Sequence, residues 1–204
     1  MLSYHNDHKI KEEIIKKLER HYELDEIVQG VYWENGKGCA VGCTLESNNH
    51  AEYEARFGIP EELAHLEDKI FEGLDLEDAK EWPLRFMKAI PVGVDLSLVH
   101  YKFMYWLLTD EDVNLGITHA LVRDEVTRVA DLMSLLAAGE EIETKKISVA
   151  FSSAWSAARS AVNIAVSAAR SAESAASAAC AAKRAAFKKM ADKLIELFRE
   201  GGRV

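Results

Sequence analysis

The chain has 204 residues, enough for one well-buried core with or without an appendage. A formal net charge of -9 argues against general affinity for nucleic acid or an anionic membrane. No apolar run reaches the roughly 18 residues of a membrane-spanning helix, and Met1 to Arg20 is charged throughout, without the apolar core of a secretory leader. Three cysteines, Cys39, Cys43 and Cys180, form no disulfide framework and are expected to be free thiols. These features together lead to the expectation of a cytoplasmic protein.

From His5 to Val28, Ile10, Ile14, Leu18, Tyr22 and Leu24 recur at near-helical intervals, and Gly30 ends the segment. Val31 to Asn49 is the one region expected to be non-helical. Gly36, Gly38 and Gly42 interrupt it, and Cys39 to Leu45 has the β-branched character of a short strand. Glu52 to Phe57 reads as a short helix stopped by Gly58. Pro60 then opens a helix with Glu61 and Glu62 in its first turn, presenting Leu63, Leu66, Ile70 and Phe71 to a core and ending at Gly73.

A further helix spans Glu77 to Ile90, started or kinked by Pro83 and closed by Pro91 and Gly93. Asp95 suits the N-cap of Leu96 to Leu108, the most hydrophobic helix and the expected centre of the head. His119 to Ala138 repeats apolar residues at three and four, up to Gly139. The head, residues 1–139, is expected to bury Leu66, Ile70, Phe86, Phe103, Trp106, Leu107, Val126 and Val129.

Glu140 to Glu200 contains neither Gly nor Pro, and 25 of the 37 residues from Ala150 to Ala186 are Ala or Ser, so helix is favoured without tertiary help. Ser156-Ala-Ala-Arg-Ser-Ala161 recurs 11 residues later as Ser167 to Ala172. An 11-residue period gives straight to right-handed packing. Phe151, Trp155, Ala158, Val162, Ala165, Ala169 and Ala176 advance along one face, a small-residue seam suited to a partner helix. Residues 147–204 hold nine Lys/Arg against four Asp/Glu, whereas residues 1–146 hold 16 against 30. The expected architecture is therefore mainly α: a helical head (1–139) with a short Gly-rich loop or strand region, plus a long Ala/Ser-rich helical tail (140–204). That tail is expected to make the protein a homo-oligomer.

Chemistry-bearing constellations are sparse. Gly36, Lys37 and Gly38 could offer backbone N–H groups and a cation to an anion, with Trp33, His50 and Trp82 as further ligand-binding candidates. The glycine spacing is neither a dinucleotide fingerprint nor a phosphate-binding loop, so a tight structural turn is the favoured reading. Cys39, Cys43 and His50 could supply three zinc ligands, but no second cysteine pair exists and buried free thiols are expected. Glu62-Leu-Ala-His65 is a single E-x-x-H element where a di-iron bundle needs two, which favours a solvated acidic face. Lys183, Arg184, Lys188, Lys189 and Lys193 complement a helix C-terminus, and nucleic acid is not the expected partner. No catalytic residue, metal or cofactor is expected.

Gly36 to Thr44 (GKGCAVGCT), Ala55 to Pro60, Ala64 to Gly73, Glu81 to Phe86 (EWPLRF) and Ile90 to Asp95 carry a resemblance over roughly residues 27–135. With these motifs the chain resembles a family of uncharacterised bacterial and phage or prophage-borne proteins whose members often carry a variable Ala/Ser-rich tail. The resemblance implies no activity and transfers no site residue. It points to a non-catalytic, mobile-element-associated protein that blocks a host protein in counter-defence or sequesters a small metabolite. The alternative is an enzyme or an anion- or nucleotide-binding domain built on the Gly36 to Cys43 loop.

Overall fold

The computed structural model describes residues 1–49, 51–110, 120–143, 146, 149 and 175–201. The fold is mainly α, with one two-stranded sheet among the described residues. The chain groups into two compact units, Met1–His100 with Phe187–Val204, and Tyr101–Ala186.

The first unit opens on a left-handed turn, with positive φ at Tyr4, His5 and Asn6. Left-handed backbone costs roughly 1–2 kcal/mol per L-residue, so the turn persists because tertiary contacts hold it. Tyr4 is fully buried and its hydroxyl donates to the Met87 carbonyl at 2.6 Å. The Ser3 N–H donates to Val94 O at 2.8 Å, and the Ser3 hydroxyl donates to Pro91 O at 2.6 Å.

Helix α1 (His8–Glu23) begins after Asp7, whose carboxylate accepts from the Lys9 N–H, and buries Ile14, Leu18 and His21. It is shorter than the expected His5 to Val28. A positive φ at Asp25 redirects the chain, and Glu26 to Val28 runs beside Gly38 instead. There the Gly38 N–H donates to Glu26 O at 3.0 Å and the Val28 N–H to Gly38 O at 2.8 Å.

Strands β1 (Trp33–Glu34) and β2 (Lys37–Gly38) pair antiparallel, with Trp33 opposite Gly38 and Glu34 opposite Lys37. Asn35 and Gly36 both take positive φ, the requirement of a tight two-residue hairpin turn. The strand expected at Cys39 to Leu45 is instead helix α2 (Ala40–Leu45). Cys39 caps it, its Sγ accepting from the Gly42 N–H at 3.4 Å, and every residue of the helix is buried. A short segment that is apolar on all sides carries no periodicity by which strand and helix differ. Its cap and its neighbours decide.

Helix α3 (Glu52–Phe57) ends at Gly58 (φ 62°), and α4 (Glu61–Gly73) follows Pro60, both as expected. Leu63, Ile70 and Phe71 are buried, whereas Leu66 is half-buried. In α5 (Leu76–Ala89), capped by Asp75, Pro83 lies inside the helix and is buried beside Trp82, Phe86 and Met87. Helices α1, α2, α4 and α5 pack on one another around this core.

Helix α6 (Val99–Thr109), α7 (Ala120–Ala137) and α8 (Ala175–Gly201) complete the described elements. Within the second unit, Val129, Met133 and Leu136 form a core flanked by Tyr101, Met104, Leu108, Leu132 and Ile142. Phe103 is buried as expected, but Trp106, Leu107 and Val126, also expected in the core, are only half-buried. The apolar residues of α6 lie on more than one face, and packing against one neighbour covers only one of them.

The C-terminal turns of α8 belong to the core of the first unit. Ala191, Leu194, Ile195, Leu197 and Phe198 are buried, and Phe198 meets Phe86 edge-on at 5.1 Å. The Phe187 ring occupies the space beside Gly73 that a side chain would fill. Residues 187–201, the last part of the expected 140–204 tail, thus pack with residues 1–100. Their apolar face, unlike the alanine seam, has enough area to join a core. Among the described residues, no helix is long and apolar enough to cross a membrane.

Candidate functional site

The hairpin gathers four of the six ligand-binding candidates. Trp33 in β1 meets the buried His21 ring edge-on at 5.6 Å. Gly36 sits at the turn. Lys37 is exposed, its ammonium 3.4 Å from the Asp25 carbonyl. Gly38 is buried, with its N–H and C=O both engaged by the Glu26 to Val28 segment. Trp82 is not part of this group: it is fully buried in α5, its indole N–H donating to the Glu67 carbonyl at 2.9 Å. His50 and the tail residues Phe151, Trp155, Ala158, Val162, Ala165 and Ala169 lie outside the described residues. Of Ala176, only its place in α8 is described.

The glycines have a packing role. A Cβ on Gly38 or Gly42 would fall inside the van der Waals envelope of the Tyr32 carbonyl oxygen, so both positions let the Val31–Tyr32 backbone lie against the hairpin and α2. The Cys39 N–H closes this approach by donating to Val31 O at 2.6 Å and to Tyr32 O at 3.1 Å. Backbone N–H groups consumed in this way are not presented to an anion.

Beside the hairpin lies a cleft of about 180 Å³, lined by Gly30, Val31, Tyr32, Cys39, Asp68 and Glu72. Asp68 and Glu72 stand one turn apart on α4. The Gly30 N–H donates to both Glu72 carboxylate oxygens, at 3.0 and 3.2 Å, which fixes the carboxylate at the rim. Burial, and then a hydrogen bond to Asp68, push the Cys39 thiol far above the ordinary thiol range. The Cys43 thiol is pushed up to about 12, chiefly by burial, and it donates to Gly38 O at 3.3 Å. Both thiols are therefore protonated near neutral pH and act as weak donors rather than nucleophiles. Among the described residues, no three His, Cys, Asp or Glu side chains stand close enough to hold a metal ion.

Behind the cleft lies a buried carboxyl group. Glu67 is fully buried, accepts the Tyr53 hydroxyl hydrogen bond at Oε2, and has no hydrogen-bond partner at Oε1 among the described residues. Burial raises its pKa well above the carboxylate range. The Tyr53 hydrogen bond opposes that shift and the Asp68 charge adds to it. Burial thus favours the protonated form of Glu67. His65, the histidine of the E-x-x-H element, is exposed and lies 3.4 Å from Glu61, away from this core.

Sequence reasoning did not pick out Tyr32, Asp68 and Glu72 as one site. The available signal was the i,i+4 pair of acids on α4, but nothing local places Gly30 to Tyr32 against them. Comparison with protein-family models, characterised proteins and solved structures finds no match. What the fold defines is a mainly α protein with a small acidic cleft flanked by a tight hairpin.

Proposed function

We propose that this is a non-catalytic binding protein of the kind carried by phages and other mobile elements. It blocks a partner protein or sequesters a small molecule, and it assembles through its Ala-rich segment. The observation that carries the reading is the cleft beside the hairpin. It joins a fixed carboxylate, Glu72, to Asp68 and to Tyr32, a residue 58% exposed. Carboxylates beside an aromatic face suit a cationic group, such as a lysine or arginine side chain or a small amine.

The same chemistry weighs against an enzyme or an anion- or nucleotide-binding domain built on the Gly36 to Cys43 loop. The thiols are protonated, the Gly38 N–H is already donated, and two acids line the adjoining cleft.

Placing a photo-crosslinking amino acid at Tyr32 in the protein's native cells tests the proposal. One defined adduct, protein or small molecule, is expected by mass spectrometry. It should be lost on combining Asp68→Asn with Glu72→Gln. Identical adducts from the distant exposed position Glu13, or persistence after both substitutions, would sink the reading.

A further inference from the structure

A second concave surface in the first unit has the opposite charge. Helix α5 and the end of α8 border a groove of about 580 Å³ lined by Arg85, Lys88, Ala89, Asp192, Ile195 and Arg199. The volume lies within the range that encloses small organic ligands, roughly 300–1,000 Å³. Arg85, Lys88 and Ala89 share one face of α5 by their spacing, as Asp192, Ile195 and Arg199 do on α8. Ala89 and Ile195 supply the apolar part of the lining.

The charges in the groove are unequally satisfied. Arg85 is held by Asp192 at 3.0 Å, and Lys88 by Glu19 at 2.9 Å. Arg199 makes no hydrogen bond or ion pair with any described residue. At the C-terminal end of α5, where carbonyl groups would repel an anion, the Lys11 ammonium donates to Lys88 O at 2.9 Å and to Ile90 O at 2.6 Å. Among the lining side chains, three cations therefore stand with one carboxylate, on a chain whose net charge is -9. Arg199 stands in the last turn of α8, where the helix's carbonyl end offsets part of this excess.

We propose that this groove binds a small organic phosphate. The phosphate is held by Arg199 and by Arg85, which exchanges Asp192 for the ligand, while the ligand's apolar part rests on Ala89 and Ile195. A phosphate is chosen over a carboxylate because its second negative charge lets it compete with Asp192 for Arg85, and both guanidinium forks match its oxygens. The site is separate from the acidic cleft and does not depend on the function proposed for it.

Isothermal titration of the full chain at constant ionic strength, with ADP as the probe and citrate as the carboxylate control, tests this. Saturable ADP binding is expected, weakened at least about tenfold by Arg199→Ala, the loss of one charge-assisted partner. Asp192→Asn frees Arg85 and should tighten binding by about threefold or more. Lys37→Ala and Glu72→Gln should leave it unchanged, with thermal melts confirming that each variant folds. No saturable heat, equal binding of citrate, insensitivity to both groove substitutions, or loss on Lys37→Ala would each overturn the assignment.

Discussion

The Tyr53 hydroxyl donates its hydrogen bond to the side chain of Glu67 at a place where neither residue reaches water. This couples α3 to α4 through a carboxyl group whose protonated form burial favours. Because its folded pKa lies above the usual value of 4.5, the stability tied to this group is whole below that pH and is lost as pH rises toward the folded value. Glu67→Gln removes the titration. Urea melts at pH 5 and 7 should show the variant gaining on the parent as pH rises, by at most about 1.4 kcal/mol per pH unit, the limit for a single titrating group. Tyr53→Phe leaves the carboxyl without its donor and should cost about 1–3 kcal/mol. A parent and a Gln variant that track each other across pH would mean that Glu67 is ionised or hydrated in the folded protein.

Gly42 lies inside a helix, where alanine normally stabilises by about 1 kcal/mol. Here a Cβ would strike the Tyr32 carbonyl, a backbone group that cannot rotate away. Gly42→Ala should therefore destabilise by about 1–3 kcal/mol. Gly201→Ala, with nothing within 4 Å of the new carbon, should stay within about 0.5 kcal/mol of the parent. Chemical denaturation of the two variants side by side separates the packing role from simple propensity.

Phe198 should behave as a core residue although it lies near the end of an otherwise alanine-rich segment. Phe198→Ala is expected to cost about 3–5 kcal/mol, and a double-mutant cycle with Phe86 should return about 0.5–1.5 kcal/mol of coupling from the edge-on ring pair. Trp106→Ala, at a half-buried position, should cost less than Phe198→Ala. The reverse order would place the end of α8 outside the first core.

For the proposed assembly, the alanine seam is the element to disturb. Ala165→Leu with Ala169→Leu should lower the mass measured by light scattering while circular dichroism holds its helix content, because leucine is also a good helix former. A parent chain that already scatters as a monomer would defeat the idea.

Much of the helical framework is local and so could be read from the residues in order. Pro60 precedes a helix with Glu61 and Glu62 in its first turn, and Gly58 stops another. Each acts on backbone groups within about four residues, and neighbouring residues suffice to specify such interactions. The mainly α class and the C-terminal helix follow from the same local terms summed along the chain.

Tertiary structure decided what local terms leave balanced. Cys39 to Leu45 became helix because it is enclosed on all sides and Gly42 admits the Tyr32 carbonyl. Glu67 became a fully buried acid, on the helix whose E-x-x-H element reads as a solvated face. The cleft needed Gly30 to Tyr32 brought against α4, and the groove needed α8 laid beside α5. Each outcome depends on contacts between residues tens of positions apart, whose burial energy arises only when the chain closes on itself.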